Sequence, residues 1–583
     1  MGSAKRTSSV GRGGRRRARA AFFVEPVGVA QRSYEALRAY FVEGFTAAQV
    51  AERFGYAPST VVAMVRDFDG RREGFFVERR PGPRVAPAKL AARDEVVRLR
   101  VAGHSVSEIA RALHDSKTPL SRTGVWEVLV EEGHGRLAPR GPGQRGAPAR
   151  DTPPRTRVVR FPQRPERHPS QFAGALLLVP GLVDLDLPGA VARARLPGTR
   201  EVPAISSLLS LLALKAIGRR RVSHVDDVCV DRALATFAGL ESLPKAASLG
   251  SYSYRLDRTR MSGLLEALGG AMARTGQATG REVDLDFHAI MHFGGDVALE
   301  THYVPRRSQR TESVLTFFAH DGESRNLIYA NATCTKDSQA GEAITFARHW
   351  RQATGRPPEL LVFDSKVTTG AGLAELHGAG LTFLTLRARN QKLTARLEAL
   401  PDADWTQITL DRRGPHAKPQ IHEDEVTVRG CPTPLRQIAV RGLGHDHPTL
   451  ILTNDRVKTP AALVNRYAKR MAIEQRLAES IRSFHLDALS SAVALNVDLD
   501  TTLTVWANAA YDALRQRLPG YTHATPDTIW RRFVSTPGHV TLSPDEVVCH
   551  LRQRTYSPVL READLPTIQV PWWNGRQLRF QFA

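Results

Sequence analysis

Apolar residues take up helical spacing soon after the N-terminal arm. Val50, Ala51 and Phe54 follow Thr46, a capping residue, and after a turn at Gly55 the residues Val61, Val62 and Val65 follow Ser59, read as the cap of a second helix. The pattern then recurs. Ser105 or Ser107 starts a helix with Ile109, Ala110 and Leu113, a turn runs through Asp115–Thr118, and Ser121 precedes a helix with Val125, Trp126, Val128 and Leu129. Periodicity is lost from His134 to Ser170, where nine Arg and eight Pro stand against two acidic residues, so an extended basic linker is expected. From Ala173 to about Gly276 the spacing is helical again, and Ile205, Leu208, Leu209, Leu211, Leu212, Leu214 and Ile217 form a broad apolar surface.

Beyond that the period shortens to two. Glu282–His292 reads as a strand, Asp296–Val304 as a second, and Ser313–Phe318 with Asn326–Ala330 as further strand material. Gln339–Thr354 is a helix with Ala343, Phe346, Ala347 and Trp350 on one face, and Leu360–Phe363 is a short apolar strand suited to burial on both sides. A helix near Gly370–His377 and the strand Thr382–Leu386 follow. Three strands, then helix, strand, helix, strand is the order of an RNase H-like fold, although other α/β folds share parts of it. Trp405–Leu410, Glu425–Val428, Arg436–Val440 and Thr449–Thr453 alternate like strands of an inserted β-rich subdomain.

Charge narrows the class of partner. The formal net charge of the 583 residues is +22, so a polyanion is expected, because clustered Lys and Arg gain by displacing condensed counterions. Composition does not separate DNA from RNA. The basic arm, with Lys5, Arg6, Arg12, Arg15, Arg16, Arg17 and Arg19, is a solvated tail or touches phosphate without specificity; Glu25 and Pro26 interrupt the apolar stretch that a secretory signal needs. Cys229, Cys334, Cys431 and Cys549 lie too far apart in sequence for paired zinc ligands, and nothing suggests a disulfide framework. The longest apolar stretches, Ala175–Val183 and Ile205–Gly218, contain Pro180 or Lys215 and fall short of the roughly 20 residues that span a bilayer. His224, Asp226, Asp227 and Cys229 read as solvated or capping residues rather than metal ligands.

Carboxylates supply the candidate chemistry. Two-metal phosphoryl transfer needs acids converging from separate elements, to bracket two cations roughly 3.5–4 Å apart. Asp286 lies within the first strand, in Asp284-Leu-Asp-Phe-His288, and Asp364 ends the buried strand, where open α/β sheets present functional groups. Asp284 points to the same face as Asp286 and is its close rival. From Thr459 a long helix is expected to carry Tyr467, Arg470 and Glu474 on one face, able to bind a phosphate and a metal together; an exposed helix with an Arg–Glu pair is the plainer reading.

Tyr467-Ala-Lys-Arg470-Met-Ala-Ile-Glu474, with Asp286-Phe-His288 and Val362-Phe-Asp-Ser-Lys366, resembles the signature of bacterial insertion-sequence DDE transposases that place Tyr, Arg, Glu and Lys on the helix of the third acid. The resemblance covers roughly Ala173 to the C-terminus, including Ser223-His-Val-Asp-Asp227 and Ser251-Tyr-Ser-Tyr254. It implies catalytic and metal-binding roles for Asp286, Asp364 and Glu474, Mg²⁺ with Mn²⁺ as substitute, and a large insertion between the second and third acids. Tyr467 and Arg470 would contact DNA. The family's Lys falls at Ile481, with Arg482 one residue later, so Arg482 takes that auxiliary phosphate role.

The expected architecture is multidomain, α+β and α/β. It comprises a basic arm (1–31), helix-turn-helix modules (32–80 and 88–133), the Arg/Pro linker (134–170), a helical domain (171–277), an RNase H-like mixed-sheet catalytic domain (278–490, β-rich insertion about 390–456) and a C-terminal region (491–583). Ser59, Thr60, Arg66, Ser121, Arg122 and Thr123 are the expected DNA contacts of the helix-turn-helix modules, whose second helices would enter the major groove; packing of both helix pairs on the body is the alternative. The partners implied are double-stranded DNA, as transposon ends and target, and a second copy in a synaptic homodimer; no membrane is involved, and the setting is bacterial cytoplasm at the nucleoid. A helix-turn-helix regulator and an RNase H-like nuclease without strand transfer are the competing classes.

Overall fold

A computed structural model describes residues 29–68, 87–114, 116, 118–134, 155–291, 300–304, 309–412, 416–470, 472–486 and 497–582. It divides into two compact units, Met1–Arg150 and Asp151–Ala583.

The first unit contains two three-helix groups. Val29–Phe41, Ala47–Phe54 and Pro58–Phe68 close over Ala36, Ala39, Val50, Ala51, Phe54 and Val61. Thr46 and Gln49 form a reciprocal capping box, and Gly55 ends its helix at φ +67, a left-handed conformation that costs a residue with a Cβ. Ser59 is not the cap expected of it: the helix begins one residue earlier at Pro58, whose ring presets φ at the first helical position. Val62, assigned to the apolar face, is 57% exposed. Pro87–Val101, Val106–Ala112 and Arg122–Glu131 enclose Ala92, Val96, Ile109, Leu113, Val125, Val128 and Leu129. Ser105 with Glu108, and Ser121 through Gly124 N–H, cap their helices as expected. The expected arm reaches into the first helix at Val29, and its residues 1–28 lie outside the described ones, as do 69–80, Asp115 and Lys117.

In the second unit the first strand arises where a linker was expected. Val158 bridges Leu240, and Glu166–Ser170 (β1) pairs antiparallel with Gly538–Leu542, so residues 155–170 belong to the folded body; 135–154 lie outside the described residues. The Arg and Pro content misleads because β1 is an edge strand, where Pro169 withholds no needed donor.

The central sheet is built on Glu282–Met291 (β2), Glu300–Val304 (β3), Gln309–Asp321 (β4), Leu327–Cys334 (β5), Leu360–Phe363 (β6) and Thr382–Leu386 (β7). β2 lies antiparallel to β4 and parallel to β6, β6 is parallel to β7, and β5 pairs with β4, giving the order β5-β4-β2-β6-β7. β3 forms a hairpin with β4; the earlier part of the strand expected at Asp296–Val304 lies outside the described residues. The insertion is not a separate subdomain. Thr406–Gln407 (β8), Gln420–Val428 (β9), Cys431–Arg441 (β10) and Thr449–Thr453 (β11) continue the same sheet, because β11 pairs directly with β7.

The sheet's two faces bury different partners. Leu360, Val362, Leu384, Ile438, Val440 and Ile451 pack under Leu463, Val464 and Tyr467 of the helix Pro460–Lys469. Val283, Leu285, Leu361, Phe363 and Phe383 share one core with the helices Arg258–Arg274, Glu342–Thr354 and Val497–Arg517, so the expected helical domain has no core of its own. The last of these helices is buried along most of its length, and two of its acids are met by cations from elsewhere, Asp498 by Arg258 at 2.9 Å and Asp500 by Lys215, while Asp512 pairs with Arg515 of the same helix. The C-terminal region adds Gly538–Leu542 (β12), Glu546–Leu551 (β13), Ile568–Val570 (β14) and Arg576–Phe582 (β15), in a second sheet ordered β1-β12-β13-β15-β14. No single described helix is long and apolar enough to cross a membrane. The bent pair Ala173–Asp184 and Leu187–Arg193 passes by length and composition, with Leu176, Leu178, Leu182 and Leu187 buried in the core.

Candidate active site

Strand alternation places Glu282, Asp284 and Asp286 of β2 on the face covered by Pro460–Lys469, while Val283 and Leu285 point into the opposite core. Three acids on a half-buried strand need counter-charge, and Arg466 within that helix and Arg470 at its C-terminal end supply it. Arg466 Nη2 lies 2.9 Å from Asp284 Oδ1 and its Nε 2.5 Å from Glu282 Oε2; Arg470 Nη2 lies 3.1 Å from Asp286 Oδ1. The spacings match for a simple reason. Two strand residues advance about 6.6 Å and four helix residues about 6 Å, so arginines at i and i+4 meet acids at j and j+2. Arg466 was missed from sequence; the period-two acids within a buried strand were the available signal.

The parallel register brings the second acid alongside. Leu285 is level with Phe363, the last residue of β6, so Asp286 and Asp364 each come one residue after the last paired level of the two neighbouring strands, near enough for the Asp364 charge to act on Asp286. Asp364 directly follows β6 and uses one oxygen to accept the Lys366 N–H at 2.6 Å, the turn-stabilising role common for an Asp at a strand end. Asp284 is level with Val362, and its side chain is 3% exposed against 19% for Asp286. Burial pushes the Asp286 carboxyl up to about 6; Arg470 opposes this, and the charges of Asp364 and Glu474 add to it. The Asp284 carboxyl is also raised by burial, against the pull of Arg466.

The third acid lies on a helix that differs from the expected one. The continuous helix from Thr459 is two segments, Pro460–Lys469 and Ala472–Phe484, and the Arg470 N–H reaches Tyr467 O three residues back, a tightened turn in place of the α-helical bond. Met471 lies outside the described residues. Glu474 sits in the first turn of the second segment, exposed, yet near enough for its charge to act on Asp286. Tyr467 is half-buried beside Arg470, and burial holds its hydroxyl up at about 12. Arg482 is exposed in the last turn of Ala472–Phe484, while the Ile481 side chain lies outside the described residues.

The oxygen donors of Asp286, Asp364 and Glu474 suit hard divalent cations. Asp286 is engaged by Arg470, and among the described residues no three His, Cys, Asp or Glu side chains converge closely enough to hold a metal, the His224–Cys229 group included. As they stand, the three acids do not come together around a common point, and Arg470 occupies the Asp286 oxygen that a cation would need. In the first unit, Ser59, Thr60 and Arg66 are exposed on Pro58–Phe68, with Arg66 paired to Asp67 at 2.9 Å, and Ser121, Arg122 and Thr123 are exposed at the start of Arg122–Glu131.

No family model matches the chain, and no curated protein matches it. Among solved structures, a cryo-EM structure of a piggyBac transposase synaptic complex with hairpin DNA is similar over 62% of this chain and 87% of that one, at 11% identity and a TM-score of 0.29. A likeness that slight bears on neither fold nor function.

Proposed function

We propose that the chain is a DNA transposase of the RNase H-like DDE class, which binds transposon ends and performs strand cleavage and strand transfer. The observation that carries the reading is that Asp286 of β2 and Asp364, just past the end of the neighbouring β6, come close enough for their charges to interact, beside the segments that bear Arg470 and Glu474. The strand order β5-β4-β2-β6-β7, with β4 antiparallel, supports it. The register favours Asp286 over Asp284 as first acid, since Asp284 is sealed against Arg466.

Asp286, Asp364 and Glu474 would hold Mg²⁺, or Mn²⁺ as substitute, which when bound supplies Lewis-acid activation of water or a 3′-hydroxyl and stabilises the leaving oxygen. Arg470 keeps the buried Asp286 carboxylate compensated and, once the site opens to DNA, would exchange that partner for a phosphate. Tyr467, packed beside it, orients the guanidinium. The exposed arginines of both helix-turn-helix modules would hold the ends, and a homodimer would pair them.

The test is a cleavage and joining assay on a labelled transposon end, beside a binding assay, for Asp284→Ala, Asp286→Ala, Asp364→Ala and Glu474→Ala. Each of the last three should lose at least a hundredfold in cleavage while binding persists, and excess EDTA should stop the wild type. Full activity in Asp364→Ala or Glu474→Ala, or robust cleavage in EDTA, refutes the reading. Cleavage without joining identifies a nuclease instead.

A further inference from the structure

Arg219, Arg220 and Arg221 follow the helix Ala204–Ala216 through a turn at Gly218. That turn is fastened to the far end of the segment that begins near Glu474: His485 Nε2 lies 2.9 Å from Gly218 O, and Lys215 Nζ donates to Phe484 O at 3.1 Å. Lys215 is itself neutralised by Asp500. Arg219 lies over the Phe172 ring, 5.6 Å from its centroid, and Arg220 and Arg221 are left exposed. Burial, with Arg220, Lys215 and His224 adding to it, holds the His485 imidazole below its ordinary pKa, so the positive charge at this junction is carried by the arginines and not by the imidazole. Arg482 is exposed one turn earlier on Ala472–Phe484. Among the described residues none of Arg220, Arg221 and Arg482 forms an ion pair; the exposed Asp226 and Asp227 bound the cluster on one side.

At 1.5 Å per residue, Arg482 lies about 12 Å and the helix end at Phe484 about 15 Å along the helix from Glu474. Duplex DNA advances 3.4 Å per base pair, so that span corresponds to roughly four to five base pairs.

We propose that Arg220, Arg221 and Arg482 form a phosphate clamp for duplex DNA, gripping the backbone roughly four to five base pairs from the phosphodiester presented to Glu474. The inference rests on the transposase reading and names a surface that the helix-turn-helix modules and the acids do not include. The exposed, unpaired guanidiniums suit phosphate oxygens, and their continuity with the Glu474 segment sets the distance.

The experiment uses the full-length protein and a labelled random-sequence duplex, titrated at several salt concentrations. Each phosphate contact contributes about 0.9 to the slope of log affinity against log salt, so Arg220→Gln with Arg221→Gln should flatten it by about 1.8 and weaken binding at least tenfold at 0.1 M salt. Arg482→Gln should flatten it by about 0.9 and serves if the double variant does not fold. Arg220→Lys with Arg221→Lys should keep the slope. Arg348→Gln with Arg396→Gln, exposed arginines paired to Glu375 and Asp424, removes equal charge and should leave it unchanged. A wild type that binds the duplex steeply while the patch variants keep its slope, or fall only as far as the control, overturns this inference alone. Losses seen with single-stranded RNA and not with the duplex overturn it too. A wild type that binds no duplex overturns the transposase reading as well.

Discussion

Arg466 stands between two carboxylates, one of them almost wholly shut off from water, and it is the residue that most directly sets the geometry of β2 beside the site. Arg466→Ala leaves Asp284 buried without counter-charge, and removing one partner of such a pair costs about 3–5 kcal/mol. Replacing both ends, as Arg466→Met with Asp284→Leu, should recover stability to within about 1 kcal/mol, since a buried pair is worth little net against well-packed apolar groups. Urea unfolding measures both. A cost below about 1 kcal/mol for Arg466→Ala shows that solvent reaches the pair and that β2 is held some other way. Sequence alone left Asp284 and Asp286 as rivals because both occupy one strand face; what separates them is which arginine each meets, and that depends on how a helix from far along the chain lies across the sheet.

The start of β2 hangs on one acid at the end of β4. Asp321, wholly buried, accepts the N–H groups of Thr279 at 2.9 Å, Gly280 at 2.8 Å, Glu323 at 3.2 Å and Ser324 at 2.7 Å. Gly280 adds a second constraint: at φ +64 a Cβ there would fall 2.2 Å from Trp350 Nε1, so only glycine fits. Asp321→Ala strands several buried donors at about 1–3 kcal/mol each before water enters, and should lower stability by about 3 kcal/mol or more. Asp321→Asn keeps one oxygen and should lose less. Hydrogen exchange is the sharper probe: amides of Glu282–Asp286 should lose protection first in Asp321→Ala, and unchanged protection there means the strand is registered without this acid. Capped helices and the apolar β6 were legible as elements, since their signals are local. The tightened turn at Arg470 was not, because Tyr467-Ala-Lys-Arg470 holds neither Gly nor Pro, and the expected helix ran straight through it.

For the whole molecule, the boundary between the units decides which truncation is a fair test of end recognition. Removing residues 1–154 leaves β1 paired with β12 and Val158 bridged to Leu240. Removing 1–170 deletes β1 and bares the β12 edge, a template for unwanted pairing. The fragment 155–583 should therefore be monodisperse by gel filtration and lose sequence-specific end binding, whereas 171–583 should melt lower and aggregate. Equal melting of the two fragments shows that β1 contributes nothing to the fold. Within the second unit, the pairs Lys215–Asp500 and Arg258–Asp498 tie helices from before the central sheet to one that follows it, so the segments expected as separate domains fold as one body.

What the sequence determined by itself were the quantities that depend on near neighbours: the caps at Thr46, Ser105 and Ser121 and the strands β2, β6 and β7. A capping oxygen or a period of two acts over a few residues, so its signature survives in one dimension. Only the tertiary structure decided that β8–β11 continue the central sheet, that the Arg/Pro stretch supplies an edge strand, that the helical segment shares the sheet's core, and that Asp364 comes near Asp286 while Arg466 seals Asp284. Those outcomes depend on strand pairing and charge compensation between residues tens to hundreds of positions apart, which leave no periodic trace along the chain.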